Sequence, residues 1–87
     1  MSVEEVLSSR GRVRILRVLV EVGGLNVSGI ARRAGLNYST TRHHLEVLER
    51  LGVVRHRRFG RVRIFQLNHQ NPRVEILKKL IEVWTDR

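Results

Sequence analysis

The sequence contains no cysteine, an absence that removes disulfides, thiolate metal sites and cysteine nucleophiles together. No run of about 18 apolar residues occurs, so no membrane-spanning helix is expected. The first residues, Met1 to Ser9, carry Glu4 and Glu5 where a secretion signal would place basic and then apolar residues, and the expectation is a soluble, cytoplasmic chain. Also missing are a nucleophile–base pair, a carboxylate pair and a phosphate-gripping glycine loop, which leaves no basis for an enzyme. There is no internal repeat, low-complexity tract or linker.

The 87 residues have room for one domain, 1–87, since folded domains mostly run from about 50 to 200 residues. An apolar share of 41% beside 29% charged residues is close to the globular norm, so burial can outweigh chain entropy. A core this small leaves apolar surface wet, and dimerisation is a natural remedy. The net charge is +9, and fifteen of the seventeen basic residues are arginine, whose planar fork suits phosphate and guanine better than a point charge does. Residues 28–63 hold nine arginines against Glu46 and Glu49, a net of +7, whereas the segments on either side carry +1 each. The block lacks the amphipathic basic helix of membrane-surface proteins, and nucleic acid is the better partner.

Ser2 and Glu5 have capping-box spacing, which predicts a short helix from Val3 that buries Val3, Val6 and Leu7. From Ser9 or Arg10 to Val22, Val13, Leu16, Leu19 and Val20 recur at helical spacing, and Ile15, Val18 and Val22 widen the stripe before Gly23 and Gly24 end it. Asn26 can cap a helix over 27–34 with Val27, Ile30, Ala31 and Ala34 inward. Gly35 supplies the positive φ of a tight turn, Leu36 returns to the core, and Asn37 can cap a second helix from Tyr38 to Leu51. On that helix Thr41, Leu45 and Leu48 share one face, and Ser39, His43, Glu46 and Arg50 lie opposite. Val53 to Arg58 and Arg61 to Leu67 read as a β-hairpin around Phe59 and Gly60, with Val54, Phe65 and Leu67 toward the core. Asn71 followed by Pro72 starts a last helix reaching about Trp84. One row on it is Val74, Leu77, Ile81 and Trp84, and a second is Ile76, Leu80 and Val83.

Ile30-Ala31-Arg32-Arg33-Ala34-Gly35-Leu36 leads into Ser39-Thr40-Thr41-Arg42-His43-His44-Leu45-Glu46-Val47-Leu48 and then Leu51-Gly52-Val53-Val54. With this run the sequence resembles the winged helix-turn-helix transcription regulators, and most closely the arsenic-repressor-like family with its small archaeal relatives. The likeness covers roughly residues 9–68. Thr41 departs from it, because an aliphatic residue is usual there. The resemblance implies a mainly α fold with a small β-hairpin, in which helices over 1–8 and 72–85 flank the 9–68 core. It implies a recognition helix, 38–51, in the major groove, and a wing, 53–67, on the backbone or minor groove.

Tyr38, Ser39, Thr40, Arg42 and His43 sit on the exposed N-terminal half of the recognition helix, where hydroxyls can bond bases or phosphates and Arg42 could take guanine bidentately. Arg50 lies further along the same face. Asn37, Ser39 and Thr40 could instead simply cap the helix. Arg42 could be a solvated charge. Arg55, Arg57, Arg58, Arg61 and Arg63 crowd the wing, five arginines in nine residues, more than protection of an edge hairpin requires; phosphate contact is the favoured role. His43 and His44 point about 100° apart on a helix and lack a third donor at metal-ligand spacing, so no metal or other cofactor is expected. A small-ligand pocket at Leu77, Ile81 and Trp84 is the lesser reading of a stripe that suits a core or a dimer seam.

The expectation is a sequence-specific regulator of double-stranded DNA, a homodimeric repressor joined through Val3, Val6, Leu7, Val74, Leu77, Ile81 and Trp84. A general chromatin-associated DNA coat and a protein-docking winged helix are the alternatives.

Overall fold

The computed structural model describes residues 3–84. Their order is α1 (Val3–Val6), α2 (Arg10–Val22), β1 (Leu25–Asn26), α3 (Val27–Ala34), α4 (Tyr38–Arg50), β2 (Val54–Phe59), β3 (Val62–Leu67) and α5 (Pro72–Trp84). The expected Ser2 cap, and residue 85 at the end of the terminal helix, lie outside the described residues.

The helices α2, α3 and α4 each begin where a side chain satisfies a free backbone donor. Ser9 accepts from the Arg12 amide at 3.1 Å, Asn26 from Gly29 at 2.9 Å and Asn37 from Thr40 at 2.7 Å, a type of contact worth about 1 kcal/mol. Two helices end on left-handed glycines, Gly35 at φ 70° and Gly52 at φ 80°. Beyond them the amides of Leu36 and Val53 reach back to the Ala31 and Leu48 carbonyls at 3.0 and 2.9 Å. This 6→1 closure turns the chain sharply and returns an apolar residue to the core. The first such turn sets α3 against α4; the second feeds α4 directly into the wing.

The core gathers Ile15, Leu16 and Leu19 of α2, Ile30 of α3, and Leu45 and Leu48 of α4. Val53, Val54, Phe65 and Leu67 at the sheet close it with Val74 and Ile81 of α5. Thr41 is fully buried among them. Its hydroxyl donates to the Asn37 carbonyl at 2.8 Å, so a polar residue occupies an aliphatic position with its hydrogen bond made.

The structure revises three expectations. The hairpin belongs to a three-stranded antiparallel sheet of order β1-β3-β2, with Leu25 opposite Phe65; its strands begin and end within a residue or so of the predicted limits. Val3 is 66% exposed while Val6 is buried and Leu7 packs on the core, because a helix of one turn offers the core only one side. On α5 the row Val74, Leu77 and Ile81 covers its own domain, leaving Ile76, Leu80, Val83 and Trp84 exposed. The rotation of α5 is fixed at its start, where the side-chain amides of Asn68 and Asn71 both donate to the Gly52 carbonyl, at 3.1 and 3.0 Å. Val74, three residues on, is thereby turned inward.

Candidate nucleic-acid interface

α4 lies across the core on Thr41, Leu45 and Leu48 and turns Ser39, Arg42 and His43 to solvent. Tyr38 is exposed, Thr40 half-buried and Arg50 exposed. Twelve residues separate Tyr38 from Arg50, about 18 Å of helix, so Arg50 is remote from the N-terminal group. Asn37 proves to be the cap, and among the described residues no hydrogen bond engages the Ser39 hydroxyl.

Antiparallel pairing sorts the wing. Val54, His56 and Arg58 share a face with Leu67, Phe65 and Arg63, their direct partners across the hairpin; Arg55 and Arg57 lie on the other face. Arg57, Arg58 and Arg61 are exposed, whereas Arg55 and Arg63 are half-buried. Arg63 holds its guanidinium 5.1 Å from the Phe65 ring centre and reaches Glu46 at 3.8 Å. His56 packs against Phe65 with the rings tilted by 43° and their centres 5.1 Å apart, and meets both carboxylate oxygens of Glu49, at 2.8 and 3.0 Å. Both glutamates of the basic block thus turn toward the wing and brace it against α4. Arg63 is part of this brace rather than of a free tip.

Between the wing and the helices runs an open cleft of about 230 Å³, lined by Asn26, Ser28, Tyr38, Arg58, Arg61 and Arg63. Three guanidinium groups beside two hydroxyls form a site suited to a backbone phosphate. Ser28 is the member that sequence reasoning missed. It lies in the first turn of α3, distant in sequence from the wing.

His44, beside the exposed His43, packs toward α2. Its Nδ1 accepts from Arg12 Nε at 3.2 Å, and Arg12 also donates to Ser8 Oγ at 3.0 Å and to the Glu5 carbonyl. Burial, then the Arg12 charge and then His43 hold the His44 imidazole below its usual pKa. A neutral ring with Nδ1 unprotonated is the form this contact requires. The His43 and His44 ring centres are 6.1 Å apart, and among the described residues no three histidine, aspartate or glutamate side chains form a metal-holding group. The chain has no cysteine to supply a thiolate ligand. Among the described residues no helix is long and apolar enough to cross a membrane.

The profile of the family described as "Bacterial regulatory protein, arsR family" matches residues 9–56. The homodimeric winged helix-turn-helix DNA-binding domain Mb0332 of Mycobacterium bovis, described as a possible ArsR-family transcriptional regulator, is 29% identical; the alignment covers 91% of this chain and 70% of that one with a TM-score of 0.75. The antimony-specific transcriptional repressor AntR is 26% identical over 87% of this chain and 67% of its own, also with a TM-score of 0.75. HlyU of Vibrio cholerae, 23% identical, shares the fold with a TM-score of 0.81 over 94% of this chain and 87% of that one. No curated protein is significantly similar to the chain. The family profile is a bacterial one, and the comparisons lend the narrower archaeal likeness no support. With a matching profile over more than half its length and a winged helix-turn-helix fold, the chain belongs to the arsR family of DNA-binding transcriptional regulators.

Proposed function

We propose that this regulator is a sequence-specific repressor that binds duplex DNA as a homodimer, without metal. The observation that carries the reading is the exposed N-terminal half of α4 beside a braced, arginine-rich wing. Ser39, Arg42 and His43, flanked by Tyr38 and Thr40, read bases in the major groove, and Arg50 meets a phosphate near the other end of the helix. Arg55, Arg57, Arg58 and Arg61 hold the backbone, with one phosphate seated in the cleft against Ser28. Residues 9–68 form the binding core, and the two terminal helices join the protomers. The exposed row Ile76, Leu80, Val83 and Trp84, with Val3, is the apolar surface free for that seam, and a two-fold axis would place two recognition helices in successive grooves about 34 Å apart. The Mycobacterium bovis homodimer and the AntR repressor support these two parts of the reading. The lack of cysteine, with no three-donor group among the described residues, supports a metal-independent response.

The test compares a preferred site, selected from random duplexes, with unselected DNA. Arg57→Ala or Arg61→Ala should weaken both about equally and lower the salt slope by about one. Arg42→Ala or His43→Ala should cost the preferred site about 1 to 3 kcal/mol more than random DNA. Equal losses on both DNAs for all four variants would overturn sequence-specific reading.

A further inference from the structure

The charge of the chain is concentrated in residues 28–63, yet the fold assembles a second cationic surface from three arginines outside that block and one, Arg33, within it. Arg10, Arg14 and Arg17 follow one another at steps of four and three along α2, and all three side chains are exposed. They rim a shallow hollow of about 320 Å³ floored by Leu7 and Val13. Arg14 and Arg17 also border a second hollow, of about 220 Å³, shared with Arg33 from α3. Four guanidinium groups from two helices thus form one continuous face. Not one of them lines the cleft beneath the wing.

Among the described residues none of the four has an ion-pair partner. Arg12, also on α2, is by contrast tied to Ser8 and His44. Among the described residues, Glu21, exposed in the second hollow, is the one carboxylate that lines either hollow, and it marks the end of the face. Like charges this close repel one another, and a bound polyanion relieves that repulsion. From Arg10 to Arg17 the row spans about 10 Å of helix at about 1.5 Å per residue, so its three guanidinium groups extend beyond any single phosphate. A line of forked donors of that length fits a sugar-phosphate strand better than a single small anion.

We propose that Arg10, Arg14, Arg17 and Arg33 form a second DNA-backbone contact, separate from the recognition helix and the wing. It rests on the reading of the chain as a DNA-binding regulator and adds a face that carries affinity without sequence preference. DNA flanking the operator is what it holds.

The experiment measures the intact protein's affinity for a 40-base-pair duplex across a range of salt concentrations. The triple variant Arg14→Gln/Arg17→Gln/Arg33→Gln should flatten the log–log slope by about two to three, at about 0.9 per phosphate released. The ratio of preferred-site to random-DNA affinity should stay unchanged. A matched loss of charge on α5, Arg73→Gln/Lys78→Gln/Lys79→Gln, should change the slope by less than one. If the triple variant does not fold, Arg14→Gln alone should lower the slope by about one. An unchanged slope in the face variants, or an equal change in the α5 control, overturns the proposal. So does retained DNA affinity with lost binding to poly-glutamate, which would make the face a protein-docking surface. Loss of site preference in Arg42→Ala is read separately, so a failed second contact and a failed sequence-specific regulator give different results.

Discussion

Introducing Leu80→Asp and Val83→Asp together should convert the protein into folded monomers. Both side chains are exposed on the protomer, and they belong to the α5 row that lies outside the core of the described residues. If this row is the seam, the double change removes four apolar side chains from a symmetric interface, two from each protomer. Burying a leucine or valine is worth about 1.5 kcal/mol at the low end, so the dimer should lose about 6 kcal/mol, roughly a ten-thousand-fold rise in its dissociation constant at about 1.4 kcal/mol per decade. Buried aspartates would raise that figure further. Sedimentation equilibrium should report a dimer for the parent and a monomer for the variant, with the helical circular dichroism spectrum retained. Ile81→Asp supplies the contrast. Ile81 is 8% exposed and belongs to the core of its own domain, so the aspartate should unfold the protomer rather than merely separate two of them. A parent chain monomeric at micromolar concentration, or a double variant that still dimerises as tightly, would refute the assignment of the seam to this row.

Asn37→Ala should destabilise the domain by about 1 kcal/mol by releasing the cap of the recognition helix, read as a lower urea midpoint with an unchanged m-value. Stability should also depend on pH through His44. Its folded pKa lies below the ordinary 6.5, so the unfolded chain binds more protons just below that pH; the neutral ring's contribution is complete above about 6.5 and is lost as the pH falls toward the folded value. His44→Gln should flatten this part of the urea-midpoint profile, and an identical profile in the variant would remove His44 as its cause. Chelator should leave DNA affinity unchanged, whereas stoichiometric zinc surviving dialysis would contradict the metal-independent reading.

The helices were legible because their ends are written in local chemistry. Asn26 and Asn37 cap, Gly35 and Gly52 adopt the left-handed turn, and each of these acts within a few residues of itself. β1 was not legible. Two residues carry no periodicity, and the strand exists only because Leu25 meets Phe65 from the far side of the chain. The two rows of α5 are both apolar, so sequence could count them but could not say which faces inward; the Asn68 and Asn71 contacts to Gly52 decide that. Within the candidate site, the arginine density of the wing and the exposed face of α4 followed from pattern alone. The brace of Glu46 and Glu49 to Arg63 and His56 did not, because it joins a helix to a strand across a turn. Segment charge also concealed the α2 arginines: Glu4, Glu5 and Glu21 cancel most of them in a running total, while among the described residues Arg10, Arg14 and Arg17 have no ion-pair partner.

The doubly bonded Gly52 carbonyl has a mechanical consequence. It sits where α4 gives way to the wing, and the two asparagines that hold it introduce α5. The junction ties the element proposed to meet DNA to the element proposed to offer its outer face to a second protomer. With so short a connection, a tilt of α5 in a dimer built on it would be passed on to the reading head, α4 and the wing, instead of being absorbed by a slack linker. In a dimer built on α5, the pitch between the two heads would be geared to the packing angle at the opposite end of the molecule. Any signal that shifts that angle, whatever its chemistry, would set whether the heads fall in step with the turns of the double helix.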